Sequence, residues 1–252
     1  MDGRIDRVGT SVTGRVLAVL AAFSADRPEL TLTEISRRAG LPLTTAHRLV
    51  GELTAWGALE RVAGRYRVGL RLWEVGALAP RGLGLRESAM PFLEDLYEVT
   101  RQNVQLAVLD GTDAVYLERI SGRGAVNVIT RVGGRLPLHA TGVGLVLLAH
   151  ADPQLQERVL ASPLHRYTAK TLCDPAELRR VLAEVRRTGV AVADGQIELI
   201  ALSVAAPVHD ADGRVAAALS VVVPAEGTDS RAYVPAVRAA ARGISRALGA
   251  GR

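Results

Sequence analysis

Leu32-Thr33-Glu34-Ile35-Ser36-Arg37-Arg38-Ala39-Gly40-Leu41-Pro42-Leu43-Thr44-Thr45-Ala46-His47-Arg48-Leu49-Val50 decides how this chain is read. Thr31 just before it and Glu34 within it form a capping box, Thr31 capping the first turn and Glu34 reaching back. A short helix therefore starts here and buries Leu32, Ile35 and Ala39. Gly40 ends that helix, and Leu41-Pro42 restarts the chain. A further helix runs from about Thr44 to Trp56, buries Ala46, Leu49, Val50 and Leu53, and stops at Gly57. Upstream, Val12, Val16, Val19, Leu20 and Phe23 form one buried helical face, broken at Asp26-Arg27-Pro28. Downstream, Leu59-Glu60-Arg61-Val62 and Tyr66-Arg67-Val68 read as two strands about Ala63-Gly64-Arg65, with Gly64 supplying positive φ. Helix, helix, turn, helix and a two-stranded ribbon make a winged helix-turn-helix.

The face that the third helix leaves outside carries the chemistry. At 100° per residue it presents Thr44, Arg48, Gly51 and Ala55, with Thr45 and His47 on the same first turns. Hydroxyls, a histidine and an arginine at a helix start suit base edges and phosphates in a major groove roughly 12 Å wide. Arg61, Arg65 and Arg67 on the ribbon are placed as a wing over the backbone or the minor groove. Between residues 31 and 69 six arginines face three glutamates, a local excess of three positive charges. The competing reading is a small helical domain whose charged face contacts protein.

Composition bounds the rest. The chain has 252 residues, 48% hydrophobic and 23% charged, which excludes disorder and collagen-like structure. No apolar run reaches the roughly 18 residues a membrane span needs. The polar start, Met1-Asp2-Gly3-Arg4-Ile5-Asp6-Arg7, lacks the apolar stretch of a signal peptide. Cys173 stands alone, so neither a disulfide framework within the chain nor a multi-cysteine zinc site is available. These features place the chain in the cytoplasm, with no membrane partner. The net charge of +5 is almost wholly arginine, Lys170 being the one lysine. By itself that excess fits either phosphate binding or a GC-rich coding bias.

Leu70 to Ala79 reads as a linking helix with Leu72, Trp73 and Leu78 inside, and Pro80-Arg81-Gly82 as a boundary. The expected organisation is a DNA-binding domain over 1–69, a linker helix over 70–82 and a second domain over 83–252. A long helix to Thr100 sets Ala89, Phe92, Leu93, Leu96 and Val99 on one side. Gln105 to Leu109, Ala114 to Ile120 and Val126 to Arg131 look like strands. Gly133 to Pro137 reads as a loop leading to a helix near Gly142 to Ala149. Asp174-Pro175-Ala176-Glu177 opens a helix that buries Leu178, Val181, Leu182 and Val185 and closes at Gly189. Ser203 to Val208 and Val215 to Val223 form a hairpin about residues 209–213, and a last helix spans about Ala232 to Leu248. The fold class is α+β.

Enzyme signatures are missing from the sequence. No two histidines stand at helical metal spacing, and there is no G-x-S-x-G elbow, dinucleotide fingerprint or P-loop. No metal or cofactor is called for. His139 fits a structural or wall position, Asp210 and Asp212 fit a turn, and Cys173 at a helix start fits an inert thiol. The small residues from Leu136 to Gly144 let backbone amides approach a ligand closely, or pack a helix tightly on a sheet. Both readings stand at this level.

Residues 32–50 resemble the DNA-binding domain of IclR-family bacterial transcription regulators. Gly64-Arg65-Tyr66-Arg67-Val68-Gly69-Leu70-Arg71-Leu72 resembles the family's wing and exit. Leu136-Pro137-Leu138-His139-Ala140-Thr141-Gly142-Val143-Gly144 resembles its effector loop, and 205–208 with 217–221 its late hairpin. The resemblance implies a GAF/profilin-like effector-binding domain, a mixed sheet flanked by helices. The function it implies is a repressor of transcription governed by a small molecule. It places the pocket at Val128, Leu136, Gly142, Val143, Gly144, Ala193 or Asp194, Ala201, Ser203 and Ser220. Where members carry acids, a glycine, a cysteine and a second serine, this chain has Ala193-Asp194-Gly195-Gln196, Ile200, Ser203 and Val222. Ile200, Val222 and Val143 then surround few polar groups, which points to an apolar or aromatic acid as effector. One helix-turn-helix makes too little contact for selective binding. The partners implied are a double-stranded DNA operator with two half-sites about 34 Å apart, and a homodimer or tetramer joined through the linking helix and the first helix.

Overall fold

The computed structural model of the chain describes residues 11–79 and 83–251. The polar start and the Pro80-Arg81-Gly82 boundary lie outside the described residues. The chain divides into two compact units, Met1–Pro80 and Arg81–Arg252.

The amino-terminal unit contains α1 (Val12–Ala21), β1 (Glu29–Leu30), α2 (Leu32–Ala39), α3 (Leu43–Trp56), β2 (Leu59–Val62), β3 (Arg65–Val68) and α4 (Leu70–Gly76). The capping box forms as expected. Glu34 Oε2 accepts the Thr31 amide at 2.8 Å, and Thr31 Oγ1 accepts the Glu34 amide at 3.3 Å. The Thr31 amide and hydroxyl hold the Glu34 carboxyl below its ordinary pKa. Gly40 takes the left-handed conformation, φ 65°, that reverses the chain between α2 and α3. Ser36 Oγ donates to the Leu41 carbonyl at 2.7 Å and fixes that turn. Val19, Leu30, Ile35, Leu49, Val50 and Leu59 make the core.

Three features depart from the sequence reading. The ribbon is a three-stranded sheet in the order β1-β3-β2, because Glu29 and Leu30 pair with Arg67 and Tyr66. α4 is only seven residues long and buries none of them, so Trp73 and Leu78 are 65% and 80% exposed rather than inside. Val12 of α1 is likewise exposed. The ribbon turn needs positive φ at two residues, and Ala63 (48°) supplies one beside Gly64 (80°). An alanine there carries strain that asparagine tolerates better. Ala63→Asn is therefore expected to stabilise this unit by up to ~1 kcal/mol, seen as a higher urea midpoint.

The carboxy-terminal unit is a six-stranded sheet in the order β6-β5-β4-β9-β8-β7, built from β4 (Asn103–Asp110), β5 (Asp113–Ile120), β6 (Arg135–Pro137), β7 (Ala191–Asp194), β8 (Ala201–His209) and β9 (Val215–Pro224). Every pairing is antiparallel where a mixed sheet was expected. Strict alternation gives the sheet two apolar faces. Leu202, Val204, Leu219 and Val221 pack against α5 (Leu83–Thr100) and α9 (Val234–Ala247). Ala107, Ala205 and Ala218 pack in the core formed with α6 (Gly142–Ala149), α7 (Pro153–Ala161) and α8 (Pro175–Thr188). All eight residues of α6 are buried. α7, β6 and β7 were not anticipated, and Val99 is exposed rather than on the packed side of α5.

Residues 126–131 form no strand. Their backbone groups bond to side chains instead: Val126 O to Asn103 Nδ2 at 2.7 Å, Thr130 O to Arg119 Nη1 at 2.6 Å, and the Ile129 amide to Glu198 Oε2 at 3.0 Å. A bulge in the β4–β5 pairing, where Leu106 faces Glu118 but Ala107 faces Tyr116, puts Tyr116 and Arg119 on the same sheet face as Gln105.

Candidate functional site

Two surfaces carry the candidate chemistry, one in each unit. In the amino-terminal unit, α3 buries Ala46, Leu49 and Val50 and leaves Thr44, His47, Arg48 and Gly51 in solvent, with Thr45 half-buried. Pro42 at its N-cap offers no side-chain acceptor, so the first amides of the helix stay open to an anion. Arg48 Nη1 meets Glu52 Oε1 at 2.6 Å, one turn along, on the exposed surface. On the ribbon, Arg65 Nη2 donates to the Glu29 carbonyl and to Glu34 Oε2, both at 3.1 Å. Arg67 reaches Glu60 Oε2 at 2.8 Å and holds that carboxyl below its ordinary pKa. Arg61 lies 5.7 Å over the Tyr66 ring. Arg38, one of the six arginines counted from sequence, donates to the Ala22 carbonyl at the end of α1, 2.6 Å away.

In the carboxy-terminal unit a cavity lies on the sheet face that carries α6. Gln105 of β4, Tyr116 of β5, Ala201 and Ser203 of β8 and Val222 of β9 form its sheet side. Leu136, Ala140, Thr141 and Gly142 line it at the start of α6, Val128 and Thr130 come from the overlying segment, and Ala193, Gln196, Ile197 and Glu198 from the β7–β8 connection. The overlying segment is tied on both edges. Gln105 Nε2 donates to Thr130 Oγ1 at 2.6 Å on one side, and Glu198 accepts from Ile129 on the other. Among the described residues no lysine or arginine lines the cavity, and Glu198 is its one carboxylate. Burial pushes the Tyr116 phenol well above its ordinary pKa, offset in part by a bond with Thr141, so it stays a neutral hydroxyl.

Of the residues singled out from sequence, Val128, Leu136, Gly142, Ala201 and Ser203 meet at this cavity, and Ala193 lines it rather than Asp194. Asp194 points away and pairs with Lys170 Nζ at 2.8 Å. Val143 turns into the core. The Gly144 amide is taken by Thr141 Oγ1 at 3.1 Å. Ser220 pairs with Gln105 in register, fully buried, its Oγ without a partner. Ile200 is exposed, so the apolar wall expected from Ile200 and Val143 is absent from the cavity's lining. The lining is more polar than expected. Gln105, Thr130, Thr141, Gln196 and Glu198 were not singled out as pocket residues. The available signal was Asn103 and Gln105 alternating with Val104 and Leu106, polar positions that turn out fully buried.

The loop of small residues serves both ends left open by the sequence. A Cβ on Gly142 would lie 2.5 Å from Ser203 Oγ, and one on Gly144 would lie 2.5 Å from the Leu138 carbonyl oxygen. Gly142 packs and lines the cavity, whereas Gly144 only packs. His139 is structural. Its Nε2 lies 3.0 Å from the His165 carbonyl, and burial lowers its pKa. Asp210 Oδ1 accepts the Asp212 and Arg214 amides, as a hairpin turn requires.

Comparison with known proteins matches the two units separately. A model of the IclR helix-turn-helix domain matches residues 12–63, and one of the bacterial transcriptional regulator IclR C-terminal region matches residues 79–246. The HTH-type transcriptional regulator XynR of Escherichia coli (strain K12) is 33% identical over 93% of this chain and 96% of its own. The transcriptional repressor IclR of the same organism is 30% identical over 88% of this chain and 85% of its own. Among solved structures, an IclR homolog from Microbacterium hydrocarbonoxydans complexed with 4-hydroxybenzoate is 44% identical. It superposes with a TM-score of 0.89 over 93% of this chain and 97% of that one.

Proposed function

This chain belongs to the IclR family of bacterial transcriptional regulators, and on that premise we propose that α3 reads one half-site of a DNA operator while the carboxy-terminal cavity takes a small aromatic carboxylic acid that controls the binding. The observation that carries the effector reading is the chemistry of the lining. Val128, Leu136, Ile197 and Val222 offer apolar contact to a ring, and no cation waits for a second charge. The cavity meets the first turn of α6 at Thr141 and Gly142. There the leading amides have no intrahelical acceptor and the helix dipole favours one carboxylate. The Microbacterium relative, which holds 4-hydroxybenzoate, supports the same ligand class.

On the DNA side the contacts are Thr44, Thr45, His47, Arg48 and Gly51 of α3, with Arg61, Arg65 and Arg67 of the ribbon on the backbone. The exposed apolar side chains of α4 (Leu70, Trp73, Val75) and α1 (Val12, Leu17) belong to a homodimer or tetramer contact, since a patch of this kind on a lone subunit marks an interface. The protein regulates as a repressor and does not turn over its effector; the homologous regulators support that reading. Its DNA target puts its place of action in the cytoplasm.

Titration of the full-length protein with 4-hydroxybenzoate by calorimetry is expected to give one saturable site per chain. The same ligand is expected to change the affinity for duplex taken from upstream of the gene, because effector and operator are coupled only if each alters binding of the other. Binding confined to small hydrophilic keto acids would overturn the effector reading.

A further inference from the structure

Resting on the aromatic-acid reading above, we propose that Gln196 selects among aromatic acids, accepting a hydrogen bond from a hydroxyl or amino group on the ring, and that Thr171 is the residue that positions it. Gln196 lines the cavity and is nine-tenths buried, yet its Oε1 has no hydrogen-bond partner. A buried amide oxygen left bare has lost its water and gained nothing in return. Neighbouring polar groups of the lining are already engaged: Gln105 Nε2 with Thr130, Glu198 Oε2 with the Ile129 amide, and Thr141 Oγ1 with the Gly144 amide.

The turn that presents Gln196 is braced from behind. Thr171 Oγ1 donates to the Gln196 carbonyl at 2.6 Å and accepts from the Tyr167 and Thr168 amides at 3.0 and 2.8 Å. That uses the full capacity of the hydroxyl, one donor and two acceptors. Thr168 Oγ1 donates to the Gly195 carbonyl at 2.6 Å, and the Gly195 amide donates to the Ala201 carbonyl at 2.9 Å. The brace fixes the backbone of Gln196 and makes no bond to its carboxamide. The backbone is held in place and the side-chain acceptor stays uncommitted. A ring hydroxyl satisfies that acceptor, an unsubstituted ring leaves it bare, and a methoxy group sets oxygen against oxygen. Sites built around a ligand hydroxyl reject the analogue lacking it for this reason.

Calorimetry on the full-length protein with benzoate, the three hydroxybenzoates and 4-methoxybenzoate tests this. The wild type is expected to bind its preferred hydroxybenzoate roughly tenfold more tightly than benzoate, the fold-change of one well-made hydrogen bond. In Gln196→Met the ratio is expected to fall to about one with benzoate binding retained. In Thr171→Val it is expected to fall partway, and in Thr171→Ser to return, whereas a merely structural role for Thr171 would weaken all ligands alike and leave the ratio unchanged. A wild type that does not discriminate, or a Gln196→Met variant that still does, overturns the assignment while leaving the aromatic-acid reading intact. Failure of every aromatic acid to bind the wild type removes both.

Discussion

Arg48→Ala is expected to lower affinity for the specific duplex about five- to 150-fold, ~1–3 kcal/mol, and to relax sequence choice at the base it reads. Arg48 stands on the exposed face of α3, and its one ionic contact among the described residues is Glu52, a turn away at 2.6 Å. An exposed pair at this helical spacing is worth only about 0.3–0.5 kcal/mol, so the guanidinium leaves it for a base edge or phosphate at little cost. The substitution touches none of Ala46, Leu49 and Val50, which hold α3 to the core, and thermal unfolding is expected to stay where it is. Arg65→Ala supplies the contrast. It should weaken all sequences alike and reduce the salt slope by about 1. It also takes a bond from Glu34, the capping residue of α2, so some loss of stability accompanies it. Fluorescence anisotropy over a salt series, on specific and scrambled duplex, separates the two. Unchanged binding by the Arg48 variant would remove α3 as the reading helix.

The amino-terminal unit was legible where the determining contacts are local. Thr31 and Glu34 are three residues apart, Gly40 follows directly on its helix, and the two faces of α3 follow from one angular period. What escaped is what distance in sequence conceals. β1 is two residues long and exists only because Glu29 and Leu30 pair with Arg67 and Tyr66. Arg38 is consumed by a carbonyl sixteen positions earlier. The periodicity around Trp73 and Leu78 says that a face wants cover and is silent on what covers it, and among the described residues both side chains stay exposed.

The pocket was legible in part for the same reason. Leu136 and Gly142 sit in a segment whose wording resembles a known family, and Ala201 and Ser203 lie just ahead of another. Gln105, Thr130 and the pair Gln196 and Glu198 come from three separate segments that are joined only by tertiary packing. Val126 to Arg131 alternates like a strand, but its backbone bonds run to the side chains of Asn103, Arg119 and Glu198. A polar residue at every second place in β4 reads equally well as a wet face. Asn103 and Gln105 are instead dry, 0% and 1% exposed, and a buried polar pair of that kind marks a site more strongly than any apolar run.

Gly144→Ala is expected to destabilise the carboxy-terminal unit by about 1–3 kcal/mol, in the range of core overpacking. The added Cβ would lie 2.5 Å from the Leu138 carbonyl oxygen, 2.6 Å from Leu138 Cα and 2.5 Å from Thr141 Oγ1. Leu138 is itself buried and α6 is buried on every side, so neither backbone has room to retreat. Thr141 Oγ1 is the N-cap of α6, and pushing it off the Gly144 amide forfeits a cap worth roughly 0.5–2 kcal/mol. Alanine's better helix propensity returns only about 1 kcal/mol, too little to reverse the sign. Gly51→Ala isolates that propensity gain, because a Cβ on Gly51 meets nothing within 4 Å. It is expected to stabilise the amino-terminal unit by up to ~1 kcal/mol. Both tryptophans, Trp56 and Trp73, lie in that unit. Urea titration followed by tryptophan fluorescence therefore reports Gly51→Ala, while far-ultraviolet dichroism also reports Gly144→Ala. If the Gly144 variant proves as stable as the parent, the turn at Leu138 yields, and close packing is not what reserves that position for glycine.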